Sequence, residues 1–275
     1  MSDQLSIRGD RPSGGAGRKV SARGTWKVFG VLMLGALVGA VGIMPYALAL
    51  SGLSAQSITP LLLVASVVQT LVLTAIATSV GLNLGERIGL GAPLLHALLA
   101  REKEAKGQLR ALLVPSIVVG VITGAVIILL DLVVFYSQLP PAVRELTSSQ
   151  PEAWKGALAS FYGGIVEELL MRLGLMTTLV WLGTKLTRSD RPSAAVVWSS
   201  NILVAVLFGL GHLPATATVV EITGLIVVRA IVLNGVAGVV FGWLYWRRGL
   251  LSAITAHFSA DIVLHVLPAL FLPLL

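Results

Sequence analysis

The sequence predicts an all-α fold, a polytopic transmembrane bundle of about seven or eight helices with a polar intramembrane cavity. The chain has 275 residues, of which 56% are hydrophobic and 12% are charged, and its mean hydropathy is +0.89. A soluble domain carries about twice this charged fraction, because its whole surface contacts water. The charges are also bunched between long apolar runs, and a few ionisable side chains lie inside those runs. Together these observations exclude an ordinary soluble protein.

Residues 1–27 are predicted to form a basic, disordered tail in front of a single membrane domain over residues 28–275. The tail holds six Lys and Arg residues among Gly, Ser and Pro, and it has too little apolar surface to pack. We expect membrane lipid, through anionic headgroups, to be its partner. No aromatic residue precedes Trp26, so nothing could stack on bases and we expect no nucleic-acid partner. The sequence does not predict an oligomeric state.

Seven apolar runs are long enough to cross a bilayer, which needs about 20 helical residues. They are residues 28–50, 60–82, 111–136, 157–181, 194–213, 219–246 and 250–275. A shorter run over residues 88–100 carries His96 and suits an interfacial helix. The first run exceeds the length of a secretory signal, so we expect an uncleaved anchor.

The loops between these runs differ in their content of Lys and Arg. The tail and alternate loops hold sixteen of these residues, whereas the opposite loops hold only Arg144 and Lys155. Because positive loops stay in the cytoplasm, the N-terminus is predicted to be cytoplasmic, and we expect the chain in a bacterial cytoplasmic membrane. Seven spans would place the C-terminus outside, and an eighth half-span would reverse its side. The chain has no cysteine, which excludes disulfides, thiolate metal sites and a cysteine nucleophile.

Ionisable groups inside a span are costly, so each is a candidate functional residue. The fourth run contains Glu167, Glu168 and Arg172. Glu168 and Arg172 are four residues apart, in the order that favours an ion pair on one helix face, and Glu167 points about 100° away. The sequence therefore predicts one neutralised carboxylate and one that is free to act as a general base. Alternatively, both acids hold Arg172 and pack the helices.

Two further clusters lie in later runs. In the fifth run Phe208 precedes His212 by one turn and can cover one side of its ring. In the last run His257 and Asp261 share a helical stripe with His265. An acid beside a histidine can fix its tautomer, although a satisfied hydrogen-bonded pair is the simpler interpretation. Other intramembrane charges are interpreted as structural or interfacial, and they are Asp131 and the pair of Glu221 with Arg229.

The ordered motifs Glu-Glu-x-x-x-Arg, Phe-x-x-x-His and His-x-x-x-Asp on separate apolar runs resemble the CAAX protease and bacteriocin-processing (CPBP) family of intramembrane endopeptidases, also called the Abi family. The resemblance covers residues 110–275, which we take as the protease-like core. It includes the stretch 245–252 before His257. It implies peptide-bond hydrolysis in the membrane, on a peptide or a lipidated protein. The processing of prenylated CAAX proteins and bacteriocin or self-immunity functions are both consistent with it.

The resemblance also implies roles for individual residues. Glu167 would activate water, and His212 would position the same water molecule. His257 and Asp261 would face the carbonyl oxygen as it becomes an oxyanion. The residues that would brace and shape the site are Glu168, Arg172 and Phe208.

One departure from the family pattern concerns Asp261, because many members have Asn there. An ionised Asp cannot donate a hydrogen bond to an oxyanion, so Asp261 is either protonated or orients His257. A third alternative is zinc bound by Glu167, His212, His257 and Asp261. We expect no cofactor, because adjacent Glu residues on one helix are an unusual ligand spacing.

The predicted spans create one difficulty for this site. His212 lies near the outer end of the fifth run, whereas His257 lies near the inner end of the last run. They can share one water molecule only if the fifth helix continues past Pro214 with a kink, or if part of residues 214–230 is re-entrant. Two other classes of function stay open. They are a transporter with an ion or proton relay, and a non-enzymatic membrane scaffold or immunity protein.

Overall fold

The computed structural model describes residues 22–51, 58–148 and 150–271, and every regular element in these ranges is helical. Six helices in this part of the chain are long and apolar enough to cross a membrane. They are Arg23–Leu50, Pro60–Ile88, Ala105–Gln138, Ala194–Thr216, Gly224–Arg248 and Leu250–Phe271. The chain is therefore an all-α, polytopic membrane protein, as the sequence predicts, with a number of spans close to the prediction.

The first half of the chain forms three of these spans and two shorter helices. The helix α3 (Pro60–Ile88) begins after Thr59, whose side chain accepts a hydrogen bond from the Leu62 N–H. It ends before Gly89, which has φ +74°. A π-helical turn over Asp131–Phe135 and a 3-10 turn over Tyr136–Gln138 extend α5. The helices are α1 (Ala22–Gly42), α2 (Met44–Leu50), α3 (Pro60–Ile88), α4 (Pro93–Leu99), α5 (Ala105–Leu130) and α6 (Pro141–Ser148).

One long helix follows, and it carries the two adjacent glutamates. Its consecutive pieces are α7 (Ala153–Phe161), the π-helical stretches Tyr162–Glu167 and Leu169–Met176, and α8 (Thr177–Leu186). Its length would allow it to cross, in agreement with the predicted run at 157–181. It is not one of the six apolar spans, and three charged residues, Glu167, Glu168 and Arg172, lie in its middle. Isolated π-helical turns of this kind are rare and occur often at functional sites.

The last three spans follow in sequence. The helices α9 (Ala194–Gly211) and α11 (Gly224–Arg248) begin after Ser193 and Thr223. The hydroxyl of each of these two residues accepts a hydrogen bond from a backbone N–H of the first turn. Gly249, with φ +89°, separates α11 from α12. The elements are α9 (Ala194–Gly211), α10 (Leu213–Thr216), α11 (Gly224–Arg248), α12 (Leu250–Asp261), a π-helical stretch Ile262–Val266 and α13 (Leu267–Phe271).

α12 lies in the interior, and glycines on its neighbours let it approach them closely. A Cβ atom added at Gly124 of α5 would lie 2.8 Å from the Val263 side chain, and one at Gly164 would lie 2.9 Å from Phe258. A Cβ atom added at Gly39 of α1 would likewise lie 2.9 Å from the Phe161 carbonyl oxygen, so α1 also packs through glycine. Small residues at such contacts are typical of membrane helices.

The structure changes two interpretations of the sequence. α1 begins at Ala22 and so includes the last residues assigned to the basic tail, up to Lys27. Trp26 and Lys27 are residues that suit the membrane interface, so a helix can extend through them. Residues 1–21 of the tail lie outside the described residues. Arg229 pairs with Asp131, at 2.7 and 2.6 Å, and not with the exposed Glu221.

The fifth helix continues beyond its predicted end at residue 213. The apolar span runs from Ala194 to Thr216, with a break at His212 between α9 and α10. This agrees with the first of the two alternatives, a helix that continues past Pro214. Residues 224–230 belong to α11, and residues 217–223 connect the two helices.

Candidate active site

The imidazole of His257 is the point at which residues from two of the three motifs meet. Its Nδ1 atom lies 2.9 Å from Oε1 of Glu168. Its Nε2 atom lies 3.6 Å from Oε2 of Glu167 and 3.6 Å from Oδ1 of Asp261. Three carboxyl groups therefore surround one ring, although 89 residues separate Glu168 from His257.

α12 and the long helix together create this arrangement. His257 and Asp261 are one turn apart on α12, as the sequence predicts, and both are buried. Gly163, in the π-helical stretch before the two glutamates, faces these two side chains. A Cβ atom added there would overlap Oδ2 of Asp261 and would lie 3.2 Å from His257 Nε2. The absence of a side chain at Gly163 is therefore required for the approach of Asp261 and His257.

Two aromatic rings cover His257. Phe241 of α11 stacks on the imidazole with the ring centroids 4.6 Å apart and the planes at 26°. Phe208 of α9 approaches edge-on, with a centroid distance of 5.9 Å. Both Phe side chains are buried, so they shield the carboxyl groups from lipid and strengthen the electrostatic interactions between them.

Glu168 and Arg172 form the ion pair that their spacing predicts. Arg172 Nε lies 3.4 Å from Glu168 Oε2, and both side chains are 0% exposed. The guanidinium has no hydrogen-bond acceptor among the described residues, and its Cζ atom lies 5.6 Å from the centre of the Phe208 ring. Attraction to Glu168 and to the aromatic face therefore compensates the buried charge.

The two glutamates lie on opposite sides of the His257 ring. Glu168, which pairs with Arg172, bonds Nδ1, whereas Glu167 lies 3.6 Å from Nε2. The sequence alone does not predict that both acids face one imidazole, because this depends on how α12 packs against the long helix. Glu167 is the more accessible acid, with 21% of its side chain exposed, whereas Glu168 is fully buried.

His212 reaches this cluster through Phe208. Its Nδ1 atom lies 2.8 Å from the Phe208 carbonyl oxygen, which can only accept, so Nδ1 carries the proton and Nε2 has the lone pair. The rings of Phe208 and His212 are 4.8 Å apart, edge to face. Phe208 therefore lies beside both histidines, and His212 is partly exposed at the helix break.

The proton positions on His257 follow from the same logic. A carboxylate accepts only, so the Nδ1 atom of His257 donates to Glu168. The Nε2 atom faces Glu167 and Asp261, and a hydrogen bond to either requires a proton on Nε2 or on the carboxyl group. The cluster contains three acids, with Arg172 and His257 as the only basic groups in these contacts, so it is suited to holding and moving protons.

The four residues considered for zinc do not form a metal-binding group among the described residues, where no group of three or more His, Asp or Glu side chains could hold a metal ion. The Nδ1 atom of His257 donates to Glu168, and the Nδ1 atom of His212 donates to a carbonyl oxygen, which leaves only the Nε2 atom of each ring for a ligand.

Two contributions to the site were missed by the sequence reasoning. Gly163 and Phe241 lie outside the motifs, and only the pair Gly163-Gly164 before the glutamates could have indicated a close helix approach. His265, which shares the stripe of His257 and Asp261, bonds the Tyr46 hydroxyl at 3.0 Å. This pair connects α2 to the end of α12.

Residues 149–263 match the family model described as Rce1-like, the type II CAAX prenyl endopeptidases. The match covers less than half of the 275-residue chain, and residues 149–263 are called the Rce1-like segment below. All the motif residues, from Glu167 to Asp261, lie inside it, and it falls within the predicted protease-like core at 110–275. The Rce1-like segment spans the long glutamate-bearing helix through α12, whereas α1, α3 and α5 lie outside it. Comparison of the whole chain with curated proteins and with solved structures gives no match.

The match to the Rce1-like family model and the apolar helices agree on the general character of the protein. The matched model describes CAAX prenyl endopeptidases, and the described part of the chain has six apolar spans. The chain is therefore an integral membrane protein with a segment similar to a protease family, and its candidate active site is the cluster around His257.

Proposed function

We propose that the chain is an intramembrane endopeptidase in which Glu167 and His212 activate a water molecule for attack on a peptide carbonyl. The observation that carries this proposal is the position of Glu167, 3.6 Å from His257 Nε2 and the most accessible of the three acids. An accessible carboxylate beside a buried polar cluster is suited to act as a general base. The bond from His212 Nδ1 to the Phe208 carbonyl leaves Nε2 of the neutral ring with a lone pair, and in this proposal that lone pair accepts a hydrogen bond from the attacking water molecule.

In the proposed reaction Glu167 takes a proton from water, and the hydroxide adds to the carbonyl carbon. The carbonyl oxygen becomes an oxyanion, which His257 Nε2–H or a protonated Asp261 stabilises by donating a hydrogen bond. Glu167 then gives its proton to the leaving amine as the C–N bond breaks. The products are a carboxylic acid and an amine, so protons and electrons balance.

Glu168 and Arg172 hold His257 in place for this step. Donation from Nδ1 to Glu168 fixes the orientation of the ring and directs Nε2 towards Glu167 and Asp261. The buried Arg172 neutralises Glu168, which keeps that acid from competing as a base. This division of roles supports Glu167 as the reactive carboxylate.

The depth of the site supports cleavage near the cytoplasmic membrane face. His257 lies seven residues after the start of α12, which is roughly 10 Å along a helix. That start adjoins Arg247 and Arg248, which belong to the Lys- and Arg-rich side of the membrane. The N-terminus lies on the same side in this orientation. Our proposed substrate is a lipidated or prenylated peptide that approaches from the membrane.

The test uses the full chain in liposomes with two probes, a prenylated CAAX-type peptide and the same peptide without its lipid. Cleavage products are identified by mass spectrometry. Glu167→Gln keeps the shape of the side chain and removes the base, so we expect kcat to fall by a factor of about 10² to 10⁴. Glu152→Gln, the same change at an exposed residue, is the matched control.

Unchanged cleavage by Glu167→Gln would show that the assigned base is wrong. A wild-type chain that cleaves neither probe, and whose biological effect survives Glu167→Gln, would instead favour a membrane scaffold. Cleavage of the prenylated peptide alone would identify the lipid as part of the recognised substrate.

A further inference from the structure

Tyr245 of α11 is a buried residue whose hydroxyl connects two distant parts of the chain. It is 1% exposed, although it lies only three residues before the end of α11. Its hydroxyl oxygen lies 2.9 Å from the Gly91 backbone nitrogen and 2.7 Å from Oγ1 of Thr177. The Thr177 hydroxyl in turn lies 3.0 Å from the Arg172 carbonyl oxygen. These groups form a continuous chain of three hydrogen bonds.

The direction of donation along these three hydrogen bonds can be assigned in only one way. The Arg172 carbonyl accepts only, so Thr177 donates to it. The Thr177 oxygen must then accept from the Tyr245 hydroxyl, and the Tyr245 oxygen accepts from the Gly91 N–H. Each hydroxyl donates once and accepts once. Aligned hydrogen bonds of this kind strengthen one another in a low-dielectric interior.

One end of this hydrogen-bond chain, at Arg172, lies at the candidate active site. The Thr177 hydroxyl bonds the carbonyl of a residue five positions earlier, and these two residues span the end of the π-helical stretch Leu169–Met176. The Arg172 carbonyl also accepts the Thr177 backbone N–H, so the hydroxyl adds a second bond to the same carbonyl and further restricts the position of the Arg172 backbone. The Arg172 side chain pairs with Glu168, and Glu168 holds His257.

The other end of this hydrogen-bond chain, at Gly91, is a tight turn before α4. Gly91 has φ +91° and Gly89 has φ +74°, values that favour glycine. A Cβ atom added at Gly85 would lie 2.8 Å from the backbone of Gly91, so the turn folds closely against the end of α3. This turn lies outside the Rce1-like segment at 149–263, whereas Tyr245 and Thr177 lie inside it.

We propose that Tyr245 is a positioning residue for peptide hydrolysis. Through Thr177 it sets the position of Arg172 and Glu168, and thereby the orientation of His257, while the glycine turn at residues 89–91 holds Tyr245 in place. This inference rests on the proposed function for its kinetic part. It assigns to the N-terminal half of the chain a contribution to the active site.

The kinetic test compares Tyr245→Phe and Thr177→Val with the double variant, using the wild-type chain in liposomes and a peptide that it cleaves. Misplacement of an active-site group lowers the rate steeply, so each single change should lower kcat by roughly ten- to a hundredfold with little change in KM. Both changes remove the hydrogen bond between the Tyr245 and Thr177 hydroxyls, so the double variant should be no slower than the slower single variant.

Two matched variants separate positioning from general damage. Thr177→Ser keeps the hydroxyl and should retain wild-type kcat. Thr184→Val removes a buried hydroxyl of the same helix, which bonds only within that helix to the Val180 carbonyl, and it should also retain wild-type kcat. Equal losses in Thr184→Val and Thr177→Val would overturn the proposal, as would single-variant losses that multiply in the double variant.

A second measurement does not depend on cleavage. The chain has four histidines, so ¹⁵N-labelled histidine gives a small set of ring resonances, and the His257 resonances can be assigned with His257→Gln. Tyr245→Phe should shift the Nδ1 resonance of His257, because its bond to Glu168 changes, and Thr184→Val should not. An unchanged His257 spectrum in Tyr245→Phe overturns the proposal. A wild-type chain without activity overturns the proposed function alone, since this shift still tests positioning.

Discussion

The Nδ1 atom of His257 donates to Oε1 of Glu168 at 2.9 Å, and the other oxygen of this carboxylate faces Arg172 at 3.4 Å. Glu168 thus links an imidazole and a guanidinium in a region from which solvent is excluded. This relationship makes Glu168 the residue that holds the site together, and it leaves Glu167 as the more exposed acid.

Replacement of Glu168 by Gln should destabilise the protein. Gln can still accept from His257, but the buried guanidinium of Arg172 would lose its counter-charge, which costs about 3–5 kcal/mol. The measurement is unfolding of the purified protein in mixed micelles. The double variant Glu168→Gln with Arg172→Gln should recover part of the loss, because no unpaired charge remains. A single variant as stable as wild type would show that the ion pair has no structural role.

Replacement of Gly163 by Ala should lower activity by about 10²-fold, because the new Cβ atom would overlap Asp261 Oδ2 and displace that carboxyl group. The cost in stability should be smaller, about 1–3 kcal/mol, as is typical of overpacking. Gly30→Ala is the control, because a Cβ atom there meets nothing within 4 Å. Cleavage rates and thermal stability are measured for both variants. Full activity in Gly163→Ala would contradict the observed contact.

Replacement of Asp261 by Asn tests how the oxyanion is stabilised. An Asn side chain donates through its amide, so the variant should keep at least about a tenth of wild-type kcat if a protonated Asp261 acts as a donor. Asp261→Leu removes every polar atom and should reduce kcat by about 10²- to 10³-fold. If Asn is as damaging as Leu, Asp261 acts instead as the ionised partner of His257.

Removal of divalent metal should leave cleavage unchanged. No set of three or more His, Asp or Glu side chains in the described chain could hold a metal ion, so Glu167 is expected to activate the water molecule without one. The purified protein is dialysed against a chelator, and its zinc content is measured before and after. Stoichiometric zinc, together with a loss of activity that added zinc restores, would require a different mechanism.

Much of this protein can be predicted from the order of its residues. Each predicted apolar run overlaps a helix of the structure, because the need for about 20 apolar residues per crossing is a local property. The pairing of Glu168 with Arg172 and the nearness of His257 to Asp261 also follow from helix periodicity. The role of Glu167 as the base stays a prediction.

Other features depend on how the helices are rotated and how closely they approach, which local periodicity does not encode. Tertiary packing places Glu167 and Glu168 at the two different nitrogens of the His257 ring. It also pairs Arg229 with Asp131 and stacks Phe241 on His257. Each of these contacts joins residues from separate helices. Their geometry is set by glycine contacts such as Gly163 and by π-helical turns, and both act only once the helices are assembled.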